Sequence, residues 1–163
     1  MKKLLIATTC LLVAACSSTK QGAELYGDGA TGGWSDVVDV TNLTETALTK
    51  EMRKTGRDVV YFKVNESAVD ADARADLQAQ AEWLKAHPQA LVVIEGRCDE
   101  RGTREYNLAL GDKRANAARS YLIARGVEPN RIQTISYGKD KPVVLGSDEE
   151  AWAKNRSATT VAY

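Results

Sequence analysis

The chain has 163 residues, with 22 Lys and Arg balanced by 22 Asp and Glu, so its formal charge is zero. No basic excess offers a footprint for nucleic acid or an anionic lipid surface, and no nucleic-acid partner is expected. A single His and three Cys leave no paired metal-ligand pattern, so neither metal nor cofactor is expected, and the length suffices for one hydrophobic core.

Residues 1–15 read as a targeting segment. Lys2 and Lys3 precede an uncharged apolar run, residues 4–15, which is too short for a permanent span of about 20 residues. The stretch Leu12-Val13-Ala14-Ala15-Cys16-Ser17 resembles the bacterial lipobox, which implies cleavage before Cys16 and lipid on its thiol and new amine. Cys10 suits that motif less well, because Thr8-Thr9 precede it. The plain alternative is an ordinary signal peptide cut after Ala15, with Cys16 a free thiol. Once Cys10 has left and Cys16 is acylated, Cys98 alone remains, so no internal disulfide is expected. Loss of Lys2 and Lys3 leaves 20 basic against 22 acidic residues, a net charge of −2.

Residues 16–50 are expected to form a flexible, lipidated tether. Gly22, Gly27, Gly29, Gly32 and Gly33 are mixed with Asp, Ser and Thr, a composition that buries too little apolar surface to offset ordering. As a loose coil the segment from Cys16 to Asp58 spans about 35 Å on average, and about 140 Å at full stretch.

Residues 51–163 are expected to be the folded domain. Residues 58–64 are β-branched and aromatic, hence a strand. Over 70–87, Ala73, Leu77, Ala81 and Leu84 repeat at helical spacing, and Pro88 marks the end. Residues 91–95 are a nearly continuous apolar run, as in a buried strand. A polar loop over 97–103 leads into a helix over 104–125, with Gly126 placed as its cap. A strand over 132–137, a short helix over 147–155 and a closing strand over 158–163 complete the pattern. The expected fold class is α/β (α+β): a two-layer β-α-β-α-β sandwich with a mixed sheet and helices on one face, preceded by a disordered tether.

The helix over 104–125 carries an anomaly, because Arg114 falls on the apolar face shared by Leu110, Ala118, Tyr121 and Leu122. A buried guanidinium must be paired, and the loop before this helix holds Asp99, Glu100 and Thr103. Two readings stay open on this pattern: an Asp99–Arg114 site, or a helix cap plus an Arg whose head reaches water. His87 reads as a solvated charge at a helix end, Cys98 as a small packed residue, and Trp83 and Trp152 as packing. Nothing suggests an enzyme such as a wall hydrolase, since no base stands near a Ser or Cys nucleophile.

Residues 93–103 (Val-Ile-Glu-Gly-Arg-Cys-Asp-Glu-Arg-Gly-Thr), then Tyr106-Asn107, Leu110-Gly111 and Arg114-Ala115, closely resemble the OmpA-like peptidoglycan-binding domain family. Val60-Tyr61-Phe62, residues 136–139 with Pro142, and Asn155-Arg156 extend the likeness over residues 58–163, and Cys16 matches the family's lipoprotein branch. The resemblance implies an OmpA-like sandwich and non-covalent binding of peptidoglycan through the meso-diaminopimelate of its stem peptide. It implies that Asp99 takes the ammonium of that group and Arg114 its carboxylate, with Phe62, Thr103, Tyr106, Asn107 and Arg156 lining or supporting the pocket. It further implies lipid anchoring at the outer membrane with the domain in the periplasm, consistent with Ser17 after the acylated Cys. Partnership with the Tol system, especially its periplasmic propeller protein TolB, and a part in cell division follow from the same likeness. The chain departs from the family pattern at Lys63, where Asp is usual, at Arg97, and at Ser157, where a second Arg is usual.

Overall fold

The computed structural model describes residues 46–163; the signal segment, Cys16 and the expected tether up to residue 45 lie outside the described residues. The elements run α1 (Ala47–Lys54), β1 (Val59–Tyr61), α2 (Ala71–Ala86), β2 (Val92–Arg97), α3 (Arg104–Ala124), a 3-10 turn (Pro129–Arg131), β3 (Ile132–Gly138), α4 (Glu149–Asn155) and β4 (Ser157–Ala162).

The strands form one four-stranded sheet in the order β1-β4-β2-β3. β2 and β3 are parallel, joined through α3, while β4 inserts antiparallel between β1 and β2. This is the mixed sheet expected, with strand β4 buried along its whole length because it has a neighbour on each side.

Alternation along β2 sends Val92 and Ile94 into the core and Glu95 and Arg97 to the opposite face. Leu77, Ala81 and Leu84 of α2 and Ala115, Ala118 and Leu122 of α3 pack with Val92, Ile94, Val60 and Ala158, so both long helices cover one sheet face. α3 lies tight against β2: a Cβ added at Gly96 would overlap the Gly111 carbonyl, and one at Gly111 would overlap Ser136 Oγ. That contact sets the depth at which the start of α3 meets the end of β2, and hence the geometry of the loop between them.

Caps define the helix ends. Asp70 Oδ1 accepts from Ala73 N at 3.0 Å, Thr103 Oγ1 from Tyr106 N at 3.2 Å, and Asp148 Oδ1 from Ala151 N at 2.8 Å. Gly126, at φ 92°, closes α3 as expected.

The first described element is α1, so residues 47–50, expected as tether, are helical. Their order comes from long-range contacts that local composition does not reveal: Thr46 Oγ1 donates to Ala162 O at 2.8 Å, Thr49 Oγ1 donates to the same carbonyl, and Met52 is buried in the core. β1 is shorter than the expected 58–64. After Phe62 the chain turns, with Glu66 N donating to Lys63 O at 3.2 Å and Asn65 at φ 59°. His87 is packed rather than freely solvated: its ring stacks on Trp83 at 4.0 Å, and Nε2 lies 3.2 Å from Glu51.

Candidate functional site

The loop from Arg97 to Thr103 is held from several sides. Cys98 N donates to Gly138 O at 2.8 Å, and Lys139 Nζ donates to the carbonyls of Glu100 at 3.1 Å and Gly102 at 2.6 Å. From beneath, the buried Asn107 amide donates to Arg101 O at 2.8 Å and Thr103 O at 3.1 Å. Gly102 takes φ 88°, a left-handed turn suited to glycine.

Asp99 is 7% exposed and heavily bonded. Its Oδ1 accepts from Arg101 N at 3.2 Å and Nε at 3.1 Å, Oδ2 accepts from Arg101 Nη2 at 2.6 Å, and Arg156 Nη1 stands 3.6 Å away. Burial alone would raise the Asp99 carboxyl, but the hydrogen bonds from Arg101, with the charges of Arg101 and Arg156, outweigh it and hold the carboxyl below its ordinary value. Arg101 itself is half out in solvent, its guanidinium 4.3 Å from the Trp152 ring, whose Nε1 donates to Glu100 Oε1 at 3.1 Å. Trp152 therefore does more than pack, and Arg101 is a site residue that sequence reasoning left out. Its signal was faint: a charged residue two positions after an acid in a polar loop.

Arg114 is 1% exposed, and its head does not reach water. Nε donates to Glu66 O at 2.9 Å, Nη1 to Arg97 O at 2.8 Å and Nη2 to Lys63 O at 3.1 Å, so one side chain ties the turn after β1 to the end of β2. Burial, with a further contribution from the charge of Arg156, pushes this guanidinium below its ordinary value. Its Cζ lies 5.3 Å from the Phe62 ring, and Phe62 is locked by reciprocal bonds with Arg156: Phe62 N to Arg156 O at 2.8 Å, Arg156 Nε to Phe62 O at 3.1 Å. Arg156 Nη2 donates to Glu149 Oε1 at 2.8 Å, while Nη1 is buried without a hydrogen-bond partner.

The fold thus brings Asp99, Arg114, Phe62 and Arg156 together. Tyr106, 50% exposed, joins Asp99, Arg101, Val64 and Asn65 around a cleft of about 360 Å³. Thr103 serves as the α3 cap and Asn107 as the buried support of the loop, so neither lines this cleft. Arg97 points away, onto the opposite sheet face, bonded to Glu95 Oε2 at 2.5 Å and Lys141 O at 3.0 Å rather than to Asp99. Cys98 is buried, its Sγ 3.4 Å from Asn107 O, and burial pushes its thiol up: a packed thiol, not an activated one. Among the described residues no cluster of His, Cys, Asp and Glu could hold a metal ion, and no helix is long and apolar enough to cross a membrane.

Comparison with known proteins bears on the family and the fold. Residues 61–156 match the model of the OmpA family. A peptidoglycan-associated lipoprotein of Haemophilus influenzae is 40% identical over 163 residues, covering 100% of this chain and 97% of the relative. One of Rhizobium meliloti is 53% identical over 104 residues, 64% of this chain, and the match spans 59% of that relative's length. The crystal structure of the peptidoglycan-associated lipoprotein from Burkholderia pseudomallei superposes with a TM-score of 0.63 at 48% identity, covering 65% of this chain and 90% of that one. The C-terminal domain of Helicobacter pylori MotB shares the fold at 21% identity and a TM-score of 0.61, over 65% of this chain and 84% of that one. On the sequence match, the sheet order and the loop that carries Asp99, the chain belongs to the OmpA family.

Proposed function

We propose that this protein is a lipoprotein of the outer membrane that holds peptidoglycan without a covalent bond, through the meso-diaminopimelate of the stem peptide. The free end of that residue is a zwitterion, an ammonium and a carboxylate on one carbon. It needs an anionic acceptor and a cationic donor at fixed separation. Asp99 accepts the ammonium. The carboxylate lies between the buried Arg156 Nη1 and the N–H groups of Arg114 that are not spent on carbonyls, which favours guanidinium over ammonium at both positions. An anion there also relieves the mutual repulsion of Arg114 and Arg156. Phe62 and Tyr106 supply apolar walls. Charge-assisted bonds of this kind contribute about 1.5–3 kcal/mol each.

The observation that carries the reading is the state of Asp99: a buried carboxylate whose partner is a half-exposed cation, Arg101, at the end of an open cleft. The match to the H. influenzae relative extends over the whole chain, the segment with Cys16 included, which supports anchoring by lipid at that residue. The family is one of binding domains, and the chain is not an enzyme. A periplasmic domain on such a tether links membrane to wall, and we extend the reading to partnership with the Tol system, TolB in particular, during envelope constriction.

Purified sacculi should retain the wild-type protein, and millimolar free meso-diaminopimelate should release it; retention that the free amino acid does not reverse would overturn the assignment. Arg101 holds the oxygens that the ligand ammonium requires, so Arg101→Ala should raise affinity for meso-diaminopimelate about threefold to fivefold, the worth of one partly exposed ion pair. A fall in affinity by calorimetric titration would instead make Arg101 a ligand contact.

A further inference from the structure

A second cleft, of about 470 Å³, shares Phe62 and Arg156 with the zwitterion site, which leaves its Tyr61, Lys63 and Lys154 side unused. Its walls are Tyr61, Lys63, Lys154 and Asp70, with Phe62 and Arg156 at the boundary. The two clefts are neighbours: Lys63 lines this one and the next residue, Val64, lines the first, while Arg156 lines this cleft and stands 3.6 Å from Asp99.

The charge of the lining is lopsided. Lys63 is exposed, and its ammonium has no ion pair or hydrogen bond among the described residues. Lys154 is paired only with Glu150 at 2.7 Å, whose carboxylate is 81% exposed and competes weakly. Arg156 is buried at the floor and already paired with Glu149 at 2.8 Å and Asp99 at 3.6 Å. Against the two lysines stands Asp70, one of whose oxygens is engaged in capping α2. Tyr61, 52% exposed, gives an apolar wall. A cleft of this size with an apolar wall and two reachable cations fits an acidic segment of an extended ligand.

We propose that this cleft binds a second carboxylate of the same stem peptide, with Lys63 and Lys154 as its partners and Tyr61 packing against the adjoining peptide backbone. The inference rests on the zwitterion reading for the neighbouring site and adds a specificity to it: stem peptides that keep a free carboxylate beside the diaminopimelate are preferred over amidated ones. Two carboxylates of a stem tetrapeptide could fill the seat, the α-carboxylate of its D-glutamate and the C-terminal one of its D-alanine.

Calorimetric titration of the full-length protein tests this. Its ligands are L-Ala-γ-D-Glu-meso-diaminopimelyl-D-Ala with both carboxylates free, the same peptide amidated at D-Glu, the same amidated at its C-terminus, and free meso-diaminopimelate. One amidated form should bind about fivefold more weakly than the free acid, and that form identifies the carboxylate. Lys63→Gln should weaken the free-acid peptide by a similar factor, erase its advantage over that amide, and shift free meso-diaminopimelate by less than twofold. Equal affinities for all three peptides, with meso-diaminopimelate bound, would overturn the subsite alone. So would an equal loss for peptide and meso-diaminopimelate in Lys63→Gln. Failure of the wild type to bind meso-diaminopimelate would remove the zwitterion reading and this inference together.

Discussion

Asp99→Asn should lower affinity for meso-diaminopimelate about 10- to 100-fold and abolish retention on sacculi, while leaving the domain folded. The size follows from losing one charge-assisted bond to a largely buried carboxylate, about 1.5–3 kcal/mol. Asn has nearly the same shape, so its side-chain oxygen still accepts from Arg101 N and the loop keeps its turn, while the charge is removed and the oxygen facing Arg101 Nη2 becomes an N–H donor. An unchanged circular dichroism spectrum and a cooperative thermal transition would separate loss of ligand from loss of fold. Wild-type affinity in this variant would sink the assignment of the ammonium to Asp99. The native carboxyl also makes a pH prediction. Its folded value lies below the ordinary Asp value of 3.8, so the stabilisation it draws from Arg101 and Arg156 is complete above that range and fades only as pH falls through the lowered value. Binding by the wild type should therefore persist through mild acid and fail below the ordinary carboxylate range, a limb that Asp99→Asn should lack.

Much of the scaffold was legible because its signals are local. The repeat Ala73-Leu77-Ala81-Leu84, Pro88 after α2 and Gly126 after α3 each act within a turn or two of chain, and the elements fall within a few residues of the expected bounds. What escaped depends on contacts between distant segments. α1 owes its order to the Ala162 carbonyl and the core around Met52, neither of which its own composition implies. Arg131, buried with its guanidinium on the carbonyls of Leu84, His87 and Ala90 at 2.8–3.0 Å, closes the end of α2 from a different part of the chain. In the site, the resemblance supplied Asp99, Arg114, Phe62 and Arg156, and the fold brings these four together. It could not supply Arg101, because an ion pair two residues long leaves no periodic trace, nor the three carbonyls that occupy Arg114. The conflict at Arg114 between residue type and apolar face was nonetheless visible, and it is resolved by backbone acceptors rather than by a carboxylate.

That resolution has a consequence for stability. Arg114→Met keeps the volume and the apolar stem but leaves the carbonyls of Glu66, Arg97 and Lys63 facing a buried methyl group. Each unsatisfied buried acceptor costs about 1–3 kcal/mol, and with partial relaxation of the turn after β1 the total should be about 3–5 kcal/mol. For a domain whose whole stability is about 5–15 kcal/mol, the melting temperature should fall by roughly 10–20 °C in a calorimetric scan. Arg114→Lys should recover less than half of this, because one ammonium nitrogen cannot reach three carbonyls presented to a planar fork. The turn released by these substitutions carries Lys63, Val64 and Asn65, which line the two clefts. Binding measured at 10 °C, where both variants remain folded, should therefore be at least tenfold weaker even in Arg114→Lys. A melting temperature within 3 °C of wild type for Arg114→Met would show that the three carbonyl bonds contribute little, and would return Arg114 to the ligand alone.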